Sequence, residues 1–450
     1  MDVTTLKRKH LFEWLGGLLL WGMLTSYAIV FLPLPVQLLA LGVFVIFGLV
    51  IVTYYKLRQG VSQESSAFEI LIVLCFCISL VLLVLFDWSA KYGQSAQVFT
   101  QIVRGVLLCI LLLYVLRTGV DFGAKGFKIG RVLAAMAAMV GLYAAMESDL
   151  MSAMYYFSRI LYWIVATIAI YRLTMVGAIT NKTLIITISC IVPFCSAYTI
   201  NHMLNPAIES SQNAMAYTLL WCMPLLLIEK RSIFRSALIL IGSVAILLTI
   251  KRGAIIALLV SSCVYVVSYA RIQLGLREFV KVLVFVLVFG LTVTSIVHWK
   301  WEDIQVRMED ISDPERGGSG RAGIYRLIVR DWSNADISHK LLGFGSRSVQ
   351  RSTGSYYGAT TGVYAHSDWL QFLHDYGILG IFVLGSLHVT ILGMIREGFR
   401  RRHRYTPSLV MGYTILFLVN IYSGHLFGHL AIYLGILLAF VCATFKLNHG

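Results

Sequence analysis

Apolar runs of nearly constant length follow one another along this chain, and that succession limits what it can fold into. They fall at roughly 11–32, 35–55, 69–87, 100–117, 129–147, 155–175, 183–200, 213–229, 234–250, 253–271, 279–298, 368–395, 406–424 and 427–446. Each is near the ~20 residues that a helix needs to cross bilayer hydrocarbon. Backbone polar groups find no water there, so the spanning segments must satisfy their own hydrogen bonds as helices. The pattern predicts an all-α fold, a polytopic transmembrane helix bundle of about fourteen spans. Composition agrees. Hydrophobic residues make up 58% and charged residues 13%, with mean hydropathy +0.79. A soluble domain is nearer half apolar and a quarter charged. The first run follows Lys7-Arg8-Lys9 and lacks a small-residue cleavage site, so it reads as a span rather than a signal peptide.

The basic residues orient the bundle. With the N-terminus inside, the short inner segments carry 23 Lys and Arg, and the short outer segments carry three: Lys91, Lys251 and Arg252. By the positive-inside rule both termini are cytoplasmic. The net charge of +15 is then mostly topology, which argues against nucleic-acid binding. All eight cysteines fall within predicted spans, where they read as small packing residues and not as a disulfide framework or a metal site.

Spans 1–11 occupy residues 1–298 and spans 12–14 occupy 368–450. Between them, 299–367 forms the long outer loop. Gly317-Gly318-Ser319-Gly320 reads as a flexible turn. Arg321 to Trp332 reads as an amphipathic helix over the membrane surface, with Ile324, Leu327, Ile328 and Asp331 on one face. Leu341 to Gly345 is a glycine-rich bend, and Ser352 to Tyr364, rich in Ser, Thr, Gly and Tyr, is expected to be mobile.

Charges inside spans are expensive and mark function by default. Arg104 and Arg159 lie near the outer ends of their spans, Arg252 sits at the outer tip of a tight hairpin, and Arg321 opens the loop helix. Singly, each suits a snorkelling contact with lipid phosphate. Four at one depth beside a histidine suit an anion site, because the guanidinium fork pairs bidentately with phosphate and pyrophosphate. On the outer face of a bacterial membrane, the relevant diphosphate joins a glycan to a polyprenyl carrier. Diphosphate leaves readily if cations receive its charge. The acceptor hydroxyl needs a base, and an imidazole with pKa ~6.5 can serve.

That base is expected to be His366, at the mouth of the helix that follows the loop. A histidine at a membrane interface is structural as often as functional. Here the following helix carries a stripe of Leu370, Leu373, Gly377, Gly380 and Leu384, whose glycines are expected to let another helix approach. His374 reads as a packing or hydrogen-bonding residue, and His202, His425 and His429 as weaker candidates. The loop carboxylates form no Asp-x-Asp pair for a metal, and no metal or cofactor is expected. The spans offer few acidic residues, which disfavours a proton-coupled transporter.

His366-Ser367, nine residues, Gly377, two residues and Gly380 match a motif of the bacterial O-antigen ligase family: His, then Asn, Ser or Gln, nine residues, Gly, two residues, then Gly, Thr or Tyr. Lys251-Arg252-Gly253-Ala254, Ser319-Gly320-Arg321 and Leu342-Gly343-Phe344-Gly345 also resemble that superfamily, most clearly over about 240–385. The resemblance implies a GT-C-like bundle with a helical periplasmic loop in the bacterial inner membrane. It implies an inverting, metal-independent glycosyltransferase that uses an undecaprenyl-diphosphate-linked glycan donor. His366 would be the base, Arg252 and Arg321 the diphosphate contacts, and Arg104 and Arg159 further contacts. Ligases of the family usually show fewer spans and an Arg-x-x-x-Leu loop motif, where this chain has Tyr325 four residues after Arg321. Both departures favour an O-antigen or exopolysaccharide polymerase acting on lipid-linked repeat units, with a chain-length regulator as a further partner. The alternatives are a ligase that transfers to lipid A-core and a lipid-linked glycan transporter.

Overall fold

The computed structural model describes residues 94–119, 127–204, 212–228, 233–249, 251–272, 321–357, 362–428 and 430–447, with isolated positions in 69–80 and at 295 and 298. Among them the chain is helical and contains no strand. In chain order the helices are α1 (Gln94–Thr118), α2 (Lys128–Ala145), α3 (Leu150–Met175), α4 (Asn181–Leu204), α5 (Gln212–Leu226), α6 (Ile233–Leu248) and α7 (Arg252–Ile272). Then come α8 (Arg321–Asn334), α9 (Ile337–Leu342), α10 (Ser348–Tyr357), α11 (Asp368–Arg400), α12 (Thr406–Tyr422) and α13 (Ala431–Leu447). Among the described residues five helices are long and apolar enough to span a membrane, namely α2, α3, the Asn181–Ile200 part of α4, α7 and α11. Four shorter apolar helices accompany them. The expected spans at 11–32 and 35–55, the Gly317–Gly320 turn, and nearly all of 69–87 and 279–298 lie outside the described residues.

The helices divide into two compact units. One holds the residues up to Leu113 and Arg172–Thr249, the other Tyr114–Tyr171 and Ile250 onward. In the first, α4, α5 and α6 pack on one another around Trp221 and Leu219. Gly242 of α6 meets Met223 and Val192 where a Cβ would intrude, so these helices lie close.

In the second unit α7 packs along α12, which also contacts α11 and α13. Trp163 of α3 is fully buried and donates its indole N–H to the Leu426 carbonyl at 2.9 Å. Burying an indole is favourable only if that N–H finds an acceptor. Gly435 of α13 approaches Thr167 of α3 so closely that a Cβ would lie 2.2 Å from its hydroxyl.

Helix α11 decides the shape of the loop-bearing end of this unit. At 33 residues it would run about 50 Å, well beyond the ~30 Å of hydrocarbon. Gly377 breaks it, with φ 63° and ψ −153°, a conformation essentially confined to glycine. The segment before the break buries Asp368, Gln371, Phe372, His374, Asp375 and Tyr376. The break leaves the carbonyls of His374 and Asp375 open to outside donors. They accept from the amides of Phe344 at 2.9 Å and Gly345 at 3.1 Å. A Cβ on Gly343 or Gly377 would lie 2.5 Å from backbone atoms of the other segment. The loop thus docks on α11 backbone to backbone. Gly377 admits the end of the short helix α9, the close approach expected of it, whereas a Cβ on Gly380 would meet the carbonyl of Phe372 across the break in its own helix.

The loop differs from expectation in two further ways. The apolar face of α8 is covered by protein. Ile324 and Ile328 pack on Val349 and Ala365, with Tyr325 and Leu370 at the edge. Burying such side chains favours the docked arrangement by ~1.5–3 kcal/mol each. Ser352 to Tyr357, expected to be mobile, is the second half of α10. The loop is also tied to the α2–α3 hairpin. Tyr143 donates to the Leu342 carbonyl at 2.6 Å, Arg351 pairs with Glu147 and donates to the Phe344 carbonyl, and Arg347 lies 3.6 Å from Asp149.

Candidate active site

The end of α12 gathers the candidate residues. Tyr422 accepts at its carbonyl from Nη1 of Arg321 at 2.6 Å and donates its hydroxyl to the Gly253 carbonyl at 2.5 Å. Arg252 is the first residue of α7, and the described part of α8 begins at Arg321, so Arg321 and the start of α7 meet at one tyrosine. Both arginines are half-buried. Among the described residues, no carboxylate lies within ion-pair distance of either. Helix N-termini present unpaired N–H groups and a positive dipole end, and so favour an anion.

His366 stands beside this cluster. Its backbone is left-handed, with φ 53°. The next residue, Ser367, caps α11 through a 3.4 Å contact with the Leu370 amide, and donates its hydroxyl to the Asn420 carbonyl at 3.0 Å. Burial pushes the imidazole pKa down to about 4, helped by the charges of Arg321 and Lys251 and opposed by a hydrogen bond with the Ser423 backbone. The ring is therefore neutral at pH 7 and sits among cations.

The remaining candidates fall elsewhere. Arg159 on α3 donates to the Tyr364 hydroxyl at 3.2 Å, two residues before His366, and lies 5.8 Å from the Tyr155 ring. Arg104 is half-buried on α1, within the first unit. His374 is buried. Its Nδ1 lies 2.7 Å from the Ser348 hydroxyl, and its ring stacks on Phe344, the packing and hydrogen-bonding role expected of it. His425 is buried with its ring 3.0 Å from the Ser423 hydroxyl. His202 lies near the end of α4, and His429 is outside the described residues.

Three features escaped the sequence reading. Tyr422 and Ser423 look like the ordinary end of an apolar helix, and only the fold brings them to Arg321, Gly253 and His366. The N-terminal part of α11 buries two carboxylates, Asp368 and Asp375, where few acids were expected in the spans. Asp368 accepts from the amides of His425 at 2.9 Å and Leu426 at 3.2 Å, holding the turn after α12. Asp375 accepts from Ser348, Val349 and Gln371. Acidic residues at positions two and nine after the histidine were a visible signal.

No curated protein matches the chain. Residues 237–385 match the family described as O-antigen ligase, a stretch that contains Arg252, Arg321, His366, Gly377 and Gly380 but neither Arg104 nor Arg159. That stretch is about a third of the chain's length, and over it the chain is similar to the O-antigen ligase family.

Proposed function

We propose that this protein is a polymerase of lipid-linked glycans in the bacterial inner membrane, with both termini cytoplasmic and its site on the periplasmic side. The acceptor hydroxyl of one lipid-linked repeat unit attacks the anomeric carbon of a glycan held on undecaprenyl diphosphate. The new C–O bond forms as the bond to diphosphate breaks, with inversion. The electron pair leaves on the diphosphate, and the hydroxyl proton passes to the His366 imidazole. Arg252 and Arg321 receive the charge of the leaving group, with Arg159 and Arg104 as further anion contacts, so the step needs no metal. The meeting of His366, Arg321 and the start of α7 at Tyr422 supports this most strongly. A histidine titrating near 4 is a weak base in the free protein. A bound diphosphate offsets the cations that depress it, so the base strengthens when donor is present.

The description of the matching family favours a second reading, transfer of the glycan to lipid A-core. Gene deletion with glycan profiling separates the two. Core capped with a single repeat unit means polymerase, whereas long lipid-linked chains that never reach the core mean ligase. Purified protein with lipid-linked substrate, in detergent and EDTA, should release undecaprenyl diphosphate. Activity that appears only with added Mg²⁺ or Mn²⁺ would overturn the metal-free step, and no product under any condition would favour a transporter.

A further inference from the structure

His366 occupies a backbone conformation that non-glycine residues seldom adopt, so something must hold it there. Two contacts do. Tyr325 of α8 donates its hydroxyl to the His366 carbonyl at 3.1 Å. On the other side, the amide of Ala365 donates to Oε1 of Gln371 at 3.1 Å. Gln371 is buried, as are Ala365 and Asp375. Its Nε2 donates to Oδ2 of Asp375 at 2.8 Å. Only one orientation of the carboxamide serves both neighbours, because the Ala365 amide can only donate and an ionised Asp375 can only accept. The other oxygen of Asp375 is held from the loop, by the Ser348 hydroxyl at 2.8 Å and the Val349 amide at 3.2 Å. Since the Ser348 proton goes to Asp375, the 2.7 Å contact with His374 must use the Nδ1–H of that ring. A continuous run of buried hydrogen bonds thus leads from α10, through Asp375 and Gln371, to the Tyr364–Ala365 peptide, one residue before His366.

We propose that Gln371 and Asp375 are positioning residues for His366: docking of the loop on Asp375 orients the Gln371 carboxamide, which fixes the backbone that aims the imidazole. This rests on His366 being the base. Neither residue belongs to the histidine–glycine motif, and neither is placed against substrate.

The test uses the full-length protein in detergent with lipid-linked substrate, and rates are normalised to the folded fraction from size exclusion and thermal unfolding. Gln371→Glu sets a carboxylate against Asp375, and Asp375→Asn sets an amide against an amide. Each should lower kcat by about 10–100-fold, the scale of a misplacement near 1 Å, with the donor KM nearly unchanged. The combined Gln371→Glu, Asp375→Asn variant exchanges the polarity. The carboxylate introduced at position 371 still accepts from the Ala365 amide. Its second oxygen accepts from the carboxamide introduced at position 375, whose carbonyl keeps Ser348 and Val349. The net charge of this variant equals that of the wild type, and its kcat should recover most of the loss. Wild-type kcat per folded molecule in both single variants would overturn the proposal, and so would a combined variant no faster than the single ones. His366→Ala separates this failure from failure of the base assignment. Wild-type turnover in His366→Ala removes the base itself, whereas an inactive His366→Ala beside fully active Gln371 and Asp375 variants removes only the positioning pair.

Discussion

Replacing Gly377 by alanine should undock the loop carrying α9 and α10 without dismantling the bundle. At φ 63° and ψ −153° the backbone is in a region that an L-residue occupies at a cost of ~1–3 kcal/mol. The new Cβ would lie 2.5 Å from the carbonyl carbon and oxygen of Leu341 and 2.6 Å from the Gly343 amide nitrogen. These are backbone atoms, so no rotamer change relieves the clash. If the loop withdraws, the Phe344 and Gly345 hydrogen bonds to α11 are lost at ~0.5–1.5 kcal/mol each. The strain of ~1–3 kcal/mol and the backbone clash act against the docked loop, the hydrogen bonds act for it, and each 1.4 kcal/mol of the balance shifts a population tenfold. The loop can escape this while the apolar helices keep their packing, so the fault should stay local. Hydrogen exchange should show the Phe344 and Gly345 amides losing protection, proteolysis should cut within 337–357, and glycan transfer should fall at least tenfold. Gly385 is the control, since a Cβ there meets nothing within 4 Å. Gly385→Ala should be neutral or stabilising by up to ~1 kcal/mol. Wild-type loop protection and activity in Gly377→Ala would refute the backbone-docking argument.

His366→Ala should abolish transfer with expression intact. More than about a tenth of wild-type rate would remove it as the base, since such groups contribute 10²–10⁴-fold. His374→Ala should lose less, through its contacts with Phe344 and Ser348. Arg252→Lys and Arg321→Lys should each lose most activity, because lysine keeps the charge but not the fork. Arg347→Lys and Arg351→Lys, whose guanidinium groups stand partly in solvent in their ion pairs, should lose little, and equal tolerance at all four would indicate general attraction to lipid phosphate. Burial and neighbouring cations lower the His366 pKa, so the imidazole is base-competent above about pH 4 and protonates as pH falls through that value. The acid limb of kcat/KM should lie there, and that of kcat at higher pH, because bound diphosphate offsets Arg321 and Lys251. Coincident limbs near the ordinary imidazole value of 6.5 would contradict the buried, cation-flanked setting. Cysteines placed at Ser352 and Ser210 should label from outside, and cysteines at Gly126 and His403 should not, which checks the orientation.

Much of this protein is written in one dimension. Hydrocarbon admits helices alone, so an apolar run near 20 residues fixes an element without knowledge of its neighbours. The described helices from α2 to α7 and from α11 to α13 fall close to the runs read from the sequence. The period of Ile324, Leu327 and Ile328 gave α8 its buried face, though not the surface that covers it. The histidine motif named His366 and Gly377 because their spacing along the chain is itself the signal.

What the sequence could not carry is any contact made by an ordinary residue through its place in the fold. Tyr422 ends an apolar helix and is marked by nothing local, yet its carbonyl and hydroxyl meet Arg321 and the start of α7. Gln371 and Asp375 sit in a run that reads as membrane helix, and their burial is tolerated only because Ser348, Val349 and Ala365 arrive to hydrogen-bond them. Gly377 was legible as a small residue, but its role depended on the positive φ that lets the loop backbone approach. Periodicity and hydropathy record how a segment meets its solvent. Which donor meets which acceptor is settled only when segments far apart in the chain are packed together, because an unpaired polar group buried there would cost more than the packing contributes.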